Sequence, residues 1–194
     1  HSEFNPSRDK PLHFLQIWIQ PDRRGVAPSY EQKRFEPKEK RGRLRLIASP
    51  DGVDNSVRIH QDAKVYAGLF DGSEQATFPI GPDRQVYLHV ARGSVTANDT
   101  VLNAGDAVAL TDGPTLSLAR GSDAEVLTQA ASQGPYLLRL AMSSAFMWAA
   151  NAATVIPSSD STDGRCHIVV ANLTATPHRA LEGMGRTAML RRLF

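Results

Sequence analysis

The sequence predicts a mainly β protein: a sandwich or jelly-roll barrel followed by a small α+β extension. Three observations carry this reading. Short runs of alternating, branched and aromatic residues recur from residue 1 to about 127. Gly, Asp and Asn mark the corners between them, as expected for closely spaced strands rather than alternating α/β units. After "EVLTQAASQGPY" the chain turns Ala-rich and takes on helical spacing.

Taken in order, "LHFLQIWI" alternates and is rich in aromatic and branched residues, so it predicts a strand. "GRLRLIAS", "SVRIHQDAKVYAGLF", "QVYLHVARG" and "DAVALTDG" follow as further strands. "SPDG", "DG", "GPD" and "NAGD" are the turns between them. In "LHVARGSVTANDTVLNAGDAVAL" a strand leads to Gly93, which is read as a turn residue. A second strand then ends in a polar turn at Asn98-Asp99, and Gly105-Asp106 turn the chain again. Beyond a junction at 128–135, "LLRLAMSSAFMWAANAA" predicts a helix, "TVIPSSDSTDGR" a loop and "CHIVVANLT" a strand. "TPHRALEGMGRTAMLRRLF" predicts a second helix, with Thr176 at its cap and Pro177 at its first position. Leu181, Met184, Met189 and Leu193 would form its apolar face.

Composition narrows the function. Of the residues, 41% are hydrophobic and 22% charged, the balance of an ordinary globular domain. A net charge of +2 is too small to point to nucleic acid or an anionic membrane. The basic run "KRFEPKEKRGRLR" is interleaved with Glu36 and Glu39 and is read as a solvated face. A single cysteine, Cys166, excludes an internal disulfide framework and suits a reducing cytoplasm. No apolar run reaches the ~18 residues of a membrane helix. The chain starts in a strand-like segment with no Met, so further chain is expected upstream. "SSDSTDG" lacks the alternating Asp pattern of a calcium loop.

"HSEFNPS", "PLHFLQIWI", "PSYEQKRF", "LIASPDG", "HQDAKVY" and "NAGDAVAL" occur in an order that closely resembles the pirin family. Pirins are metal-binding bicupins that include quercetin 2,3-dioxygenase-like proteins. The resemblance covers residues 1–127 and implies a cupin jelly-roll barrel, the C-terminal part of a pirin-like bicupin. In that family an H-S-E motif supplies two of four metal ligands, which implies His1 and Glu3 here. The metal would be Fe(II) or another divalent ion, the substrate a flavonol-like small molecule. Glu3 would serve as ligand, or as the base that helps deprotonate a substrate hydroxyl. The other two ligands come from an H-x-H strand. None of the six histidines forms such a pair, so the metal site is expected to be incomplete in this chain. His13, His60 and His89 fall in strand patterns and are read as packed histidines. Some pirins also act as partners of transcription regulators, so a non-catalytic interaction module, or self-association through an uncovered apolar face, is a further reading.

"SSAFMWAANAATVIPSSDSTDGRCHIVVANL", with "PHRALE" and "LRRLF", resembles another family, N-succinylarginine dihydrolase. That resemblance covers residues 136–194 and implies substrate-binding roles for Asn151, His178 and Arg179. An Arg grips a carboxylate bidentately and an Asn donates to it, which suits a succinylated arginine. The family's catalytic Glu, His and Cys map beyond Phe194, and Cys166 lies outside that pattern. The chain thus carries parts of two families, each matching only a portion of its family's pattern.

Overall fold

The computed structural model describes residues 12–19, 21–23, 25–27, 29–111, 113–132, 143–147, 167–172 and 189–190. Among these residues, twelve strands run in chain order. The first five are β1 (Leu12–Ile19), β2 (Leu44–Ser49), β3 (Val57–Arg58), β4 (Ala63–Phe70) and β5 (Ala76–Pro79). Then come β6 (Arg84–Ala97), β7 (Thr100–Asn103), β8 (Ala107–Leu110) and β9 (Thr115–Ser132). The last three are β10 (Ser143–Met147), β11 (His167–Asn172) and β12 (Met189–Leu190). A single α-helical turn, α1 (Pro37–Lys40), precedes β2. Pro37 opens it, and the Glu36 backbone N–H donates to Glu39 Oε2 at 2.7 Å, half of a capping box.

Nine strands form one sheet in the order β12-β8-β6-β9-β4-β2-β3, with β5 added on β9 and β7 on β6. The two longest strands hold it together. The C-terminal half of β9 pairs with β4 and with the start of β6. Its N-terminal half pairs with β5 and with the end of β6. Between those halves the β6–β9 ladder slips at three places from Val90 to Thr96. Each slip is a bulge that bends the pair. The sheet thereby folds over one core. Val86, Leu88, Val90 and Phe70 from one half meet Leu102, Leu116 and Leu118 from the other.

A second core lies against β2 and β4. There Leu15, Ile17 and Ile19 of β1 pack on Ile47, Ile59, Val65 and Leu127. Their spacing of two puts them on one face of β1, as strand alternation requires. The edges of β1 are filled by β10, antiparallel, and β11, parallel.

Turn chemistry matches the sequence at most corners. Asn98 and Asp99 take φ of 42° and 66°, the left-handed pair of a two-residue hairpin between β6 and β7. Asn98 also accepts from Ser117 N at 2.7 Å through Oδ1 and donates to Thr115 O at 3.0 Å. In "NAGD" the Asp106 carboxylate accepts from Asn103 N at 2.9 Å. In "SPDG" the Ser49 hydroxyl meets Asp51 Oδ1 at 2.9 Å and Ser56 Oγ at 2.8 Å.

Three expectations need correction. Gly93 is not a turn but a bulge inside β6. Its φ is +68°, and a Cβ there would lie 2.3 Å from the Ser122 and Asp123 carbonyl oxygens. Ser143–Met147 and Met189–Leu190 are strands, although both fall in segments that predict helices. Helix propensity separates ordinary residues by less than ~0.7 kcal/mol each, so pairing with open edges overrides it. The edges are those of β1 and β8. The rest of both helix candidates, with Thr176, Pro177 and Cys166, lies outside the described residues. The basic run is also not wholly solvated. Lys40 is 8% exposed and lies 3.6 Å from Glu125 of β9, which is 5% exposed. Each charge there compensates a partner that would be costly to bury alone.

Replacing Gly93 with Ala is expected to cost at least about 2 kcal/mol, because strain and a backbone clash add. Gly105→Ala, at φ +88° with open space around it, is expected to cost about 1 kcal/mol or less. Urea unfolding of both variants compares them directly. Equal costs would mean that β6 and β9 do not need their close approach.

Candidate functional site

Two hollows lie against β4. Alternation along "AKVY" puts Lys64 and Tyr66 on one face of β4, away from buried Val65. On one side of them a cleft of about 480 Å³ is bounded by Arg43, Leu44 and Leu46 of the β2 segment and by Val53 and Asp54 of the following turn. On the other side a smaller hollow of about 190 Å³ is lined by Phe78 and Ile80, by Arg84 and Val86 of β6, and by Ala130 of β9. Lys64 and Tyr66 line both.

Local packing fixes these side chains. Tyr66 meets Phe78 edge to face, with ring centroids 4.9 Å apart and planes at 67°. Arg45 lies over the Phe35 ring at 5.4 Å, donates to the Asp54 carbonyl and approaches Glu39 at 3.5 Å. Arg84 donates to Asp62 Oδ1 at 2.8 Å. Arg43 and Lys64 have no carboxylate within 4.0 Å among the described residues. Burial pushes the Tyr66 phenol above its ordinary value of 10.0; Arg84 pulls it back and Asp54 adds to the rise. Burial alone raises Tyr87.

The barrel interior does not fit a metal. It is lined by Val86, Leu88, Val90, Leu116 and Leu118, and no three His, Cys, Asp or Glu side chains converge among the described residues. His89 is buried in β6, with Ala107 and Leu127 as register partners. The His60 carbonyl accepts from Asp22 N at 2.7 Å, beyond the end of β3 rather than within a strand. His13 pairs with Phe146 in the β1–β10 ladder. His1, Glu3, Asn151, His178 and Arg179 lie outside the described residues. Sequence reasoning passed over Arg43, Lys64 and Tyr66. The signal was available in "GRLRL" and "AKVY", where charged and aromatic residues alternate with buried ones.

Comparison with known proteins agrees with this barrel. Residues 46–128 match the family model of the quercetinase C-terminal cupin domain. The β-rich part of the chain is pirin-like. Quercetin 2,3-dioxygenase from Escherichia coli K12 is 39% identical over 127 residues, 66% of this chain and 54% of that protein. The crystal structure of YhhW from Escherichia coli superposes with a TM-score of 0.53 at 33% identity, covering 57% of this chain and 46% of that one. The same bacterial pirin has been solved in complex with nickel(II). The chain spans about half the length of the curated quercetin 2,3-dioxygenase relatives it matches. Residues 114–194 match the succinylarginine dihydrolase model. N-succinylarginine dihydrolase of Erwinia tasmaniensis is 55% identical over 74 residues, 38% of this chain but 17% of that enzyme. Both resemblances expected from the sequence are therefore present. No helix among the described residues is long and apolar enough to cross a membrane.

Because both tyrosines hold their protons more tightly when folded, the folded state binds more protons than the unfolded one above pH ~10. Stability is expected to be level below that pH and to fall as pH rises through the raised values. Denaturant unfolding at alkaline pH should show a shallower fall in the Tyr66→Phe, Tyr87→Phe double variant. An unchanged slope would mean that neither phenol is shifted.

Proposed function

We propose that this chain is the barrel-bearing part of a pirin-type protein of the quercetin 2,3-dioxygenase class, with a flavonol-like small molecule as the substrate of the complete site. The observation that carries this is the 39% identity over 127 residues to the E. coli dioxygenase. On this reading the barrel supplies packing and shape, not metal ligands, consistent with its apolar interior. His1 and Glu3 are the residues of this chain assigned to a divalent metal, Fe(II) or another such ion. Two ligands fall short of the facial set of three that a non-haem iron centre uses. Nucleic acid and membrane are not expected partners at a net charge of +2. Self-association is the partner reading to check.

The 194-residue chain, purified without chelator, is expected to carry well under one equivalent of iron or nickel by mass spectrometry and to leave quercetin unconsumed. A full equivalent that is lost in His1→Ala, with turnover of quercetin, would show that other groups complete the site.

The 55% identity to a dihydrolase supports a second reading for residues 136–194. Asn151, His178 and Arg179 would be contacts for the carboxylates of N-succinylarginine, on a chain whose match spans 17% of that enzyme. Incubation of the chain with N-succinylarginine is therefore expected to release no ammonia, and steady release would overturn this.

A further inference from the structure

We propose that the Glu31–Lys33 ion pair stands in for a missing strand on the outer edge of β3, and that two copies of the chain pair through this edge once the ion pair is removed. The inference rests on the self-association reading for its partner, and not on the dioxygenase reading.

Position is the first argument. β3 ends the order of the nine-stranded sheet, with β2 on one side and no strand on the other among the described residues. Residues 29–36 form neither strand nor helix, yet two of their side chains reach this open side. A bare edge offers backbone donors and acceptors to any extended chain, and native proteins cover such edges.

Hydrogen bonding is the second. On the inner side the Ile59 N–H donates to the Ser49 carbonyl at 2.9 Å. On the outer side the Ser56 carbonyl accepts from Lys33 Nζ at 2.7 Å, and the Arg58 N–H donates to Glu31 Oε2 at 2.8 Å. Lys33 Nζ and Glu31 Oε1 lie 2.8 Å apart, which locks donor and acceptor in place. The Arg58 N–H, and after it Lys33, hold the Glu31 carboxyl below its ordinary range, so the acceptor is charged at neutral pH. An ammonium and a carboxylate thus do what the N–H and C=O of a facing strand would do.

The same two groups select the partner. Around a non-hydrogen-bonded position of an antiparallel pair, the residue before it accepts from the residue after it on the facing strand, and the reverse. A two-fold axis at Val57 therefore sets each Ser56 carbonyl against the Arg58 N–H of the other copy. Both groups that the ion pair occupies are satisfied by a second β3, the self-complementary contact of an isologous dimer. Apolar surface lies beside them. Tyr30, 75% exposed, adjoins Glu31, and the carbonyl of Val53, 43% exposed, accepts from Ser56 N at 3.0 Å. A second copy seated on the edge covers part of that surface.

The test compares the full chain with the Glu31→Ala, Lys33→Ala double variant, with Lys33→Ala alone, and with Lys38→Ala, an exposed cation on α1. Mass by light scattering is read from about 10 µM to about 1 mM, and solvent exchange of the Arg58 amide by NMR at both ends. At the low end the double variant is expected to be a monomer in which Arg58 exchanges about tenfold faster than in the unaltered chain. At the high end its mass is expected to double and Arg58 to be protected again. Lys33→Ala is expected to move the same way by less, and Lys38→Ala to match the unaltered chain. Circular dichroism melts establish that the variants fold, and if the double variant fails to fold, Lys33→Ala decides. Unchanged exchange at Arg58 would overturn the role of the ion pair. Fast exchange with a constant mass would overturn pairing through this edge. An equal rise in mass in all four proteins would keep self-association but overturn β3 as its surface.

Discussion

The approach of β6 to β9 at Gly93 is the constraint on which the barrel depends. Two strands of 14 and 18 residues would, if regularly paired, make a long twisted ribbon with one core-facing side and two distant ends. The successive bulges, the first with its extra residue on β6 and the next two with theirs on β9, turn the ribbon back on itself. At the bend the carbonyls of Ser122 and Asp123 occupy the space where a side chain on residue 93 would stand. Non-glycine residues nearby also take left-handed conformations: Arg120 at φ 52° and Asp123 at φ 44°. That local strain is held by contacts with β4 and the turn after it. Asp123 N donates to Asp71 at 3.1 Å, and Gly72 N donates to Gly121 O at 2.9 Å. Gly121 lies so close to the Phe70 carbonyl, 2.5 Å from an added Cβ, that β9 passes directly over the end of β4.

The basic cleft is a consequence of that bend. Folding the sheet brings β5, on the N-terminal half of β9, over the face of β4 that carries Lys64 and Tyr66. Phe78 reaches Tyr66 only because the two halves of β9 lie in different layers. On the other side β2 pairs with β4 through a register shift between Leu46 and Ala48. The shift falls just after Leu46, which borders the cleft together with Leu44. Of the rim cations, Arg45, Lys64 and Arg84 stand on paired strands, while Arg43 stands in the bend before β2. Sites on paired strands hold their spacing better than sites on free segments.

Much of this was legible in the sequence, and the misses have a common cause. β1 was readable to the residue because alternation and aromatic content agree over its whole length. The turns at Asn98-Asp99 and Gly105-Asp106 were readable because their chemistry is local: a left-handed φ and a side chain capping nearby backbone. Gly93 carries the same local signal as a turn glycine, a need for positive φ. What makes it a bulge is a strand about thirty residues farther along the chain, which no local pattern reports. Lys40 looked like one of many solvated cations because Glu125 is more remote still along the chain. The strand in "SSAFM" fails for the same reason, since its partner is β1 at the other end of the chain. The residues assigned to metal and to succinylarginine rest on family resemblance, and the described residues bear on neither set.

β9 also shows why similarity and structural role must be read separately. The quercetinase cupin match ends at residue 128 and the dihydrolase match begins at 114, so both cover residues 114–128. In this fold those residues have one role. Leu116, Leu118, Val126 and Leu127 are buried, and the strand that carries them pairs with β4, β5 and β6. A stretch so committed to core packing is free to resemble another family only in features that packing tolerates, chiefly apolar alternation. The dihydrolase-like segment departs from the barrel after Ser132, where β9 ends. Beyond it, the described strands attach one by one to edges: β10 and β11 to β1, and β12 to β8. Filling edges satisfies backbone groups whatever the side chains are.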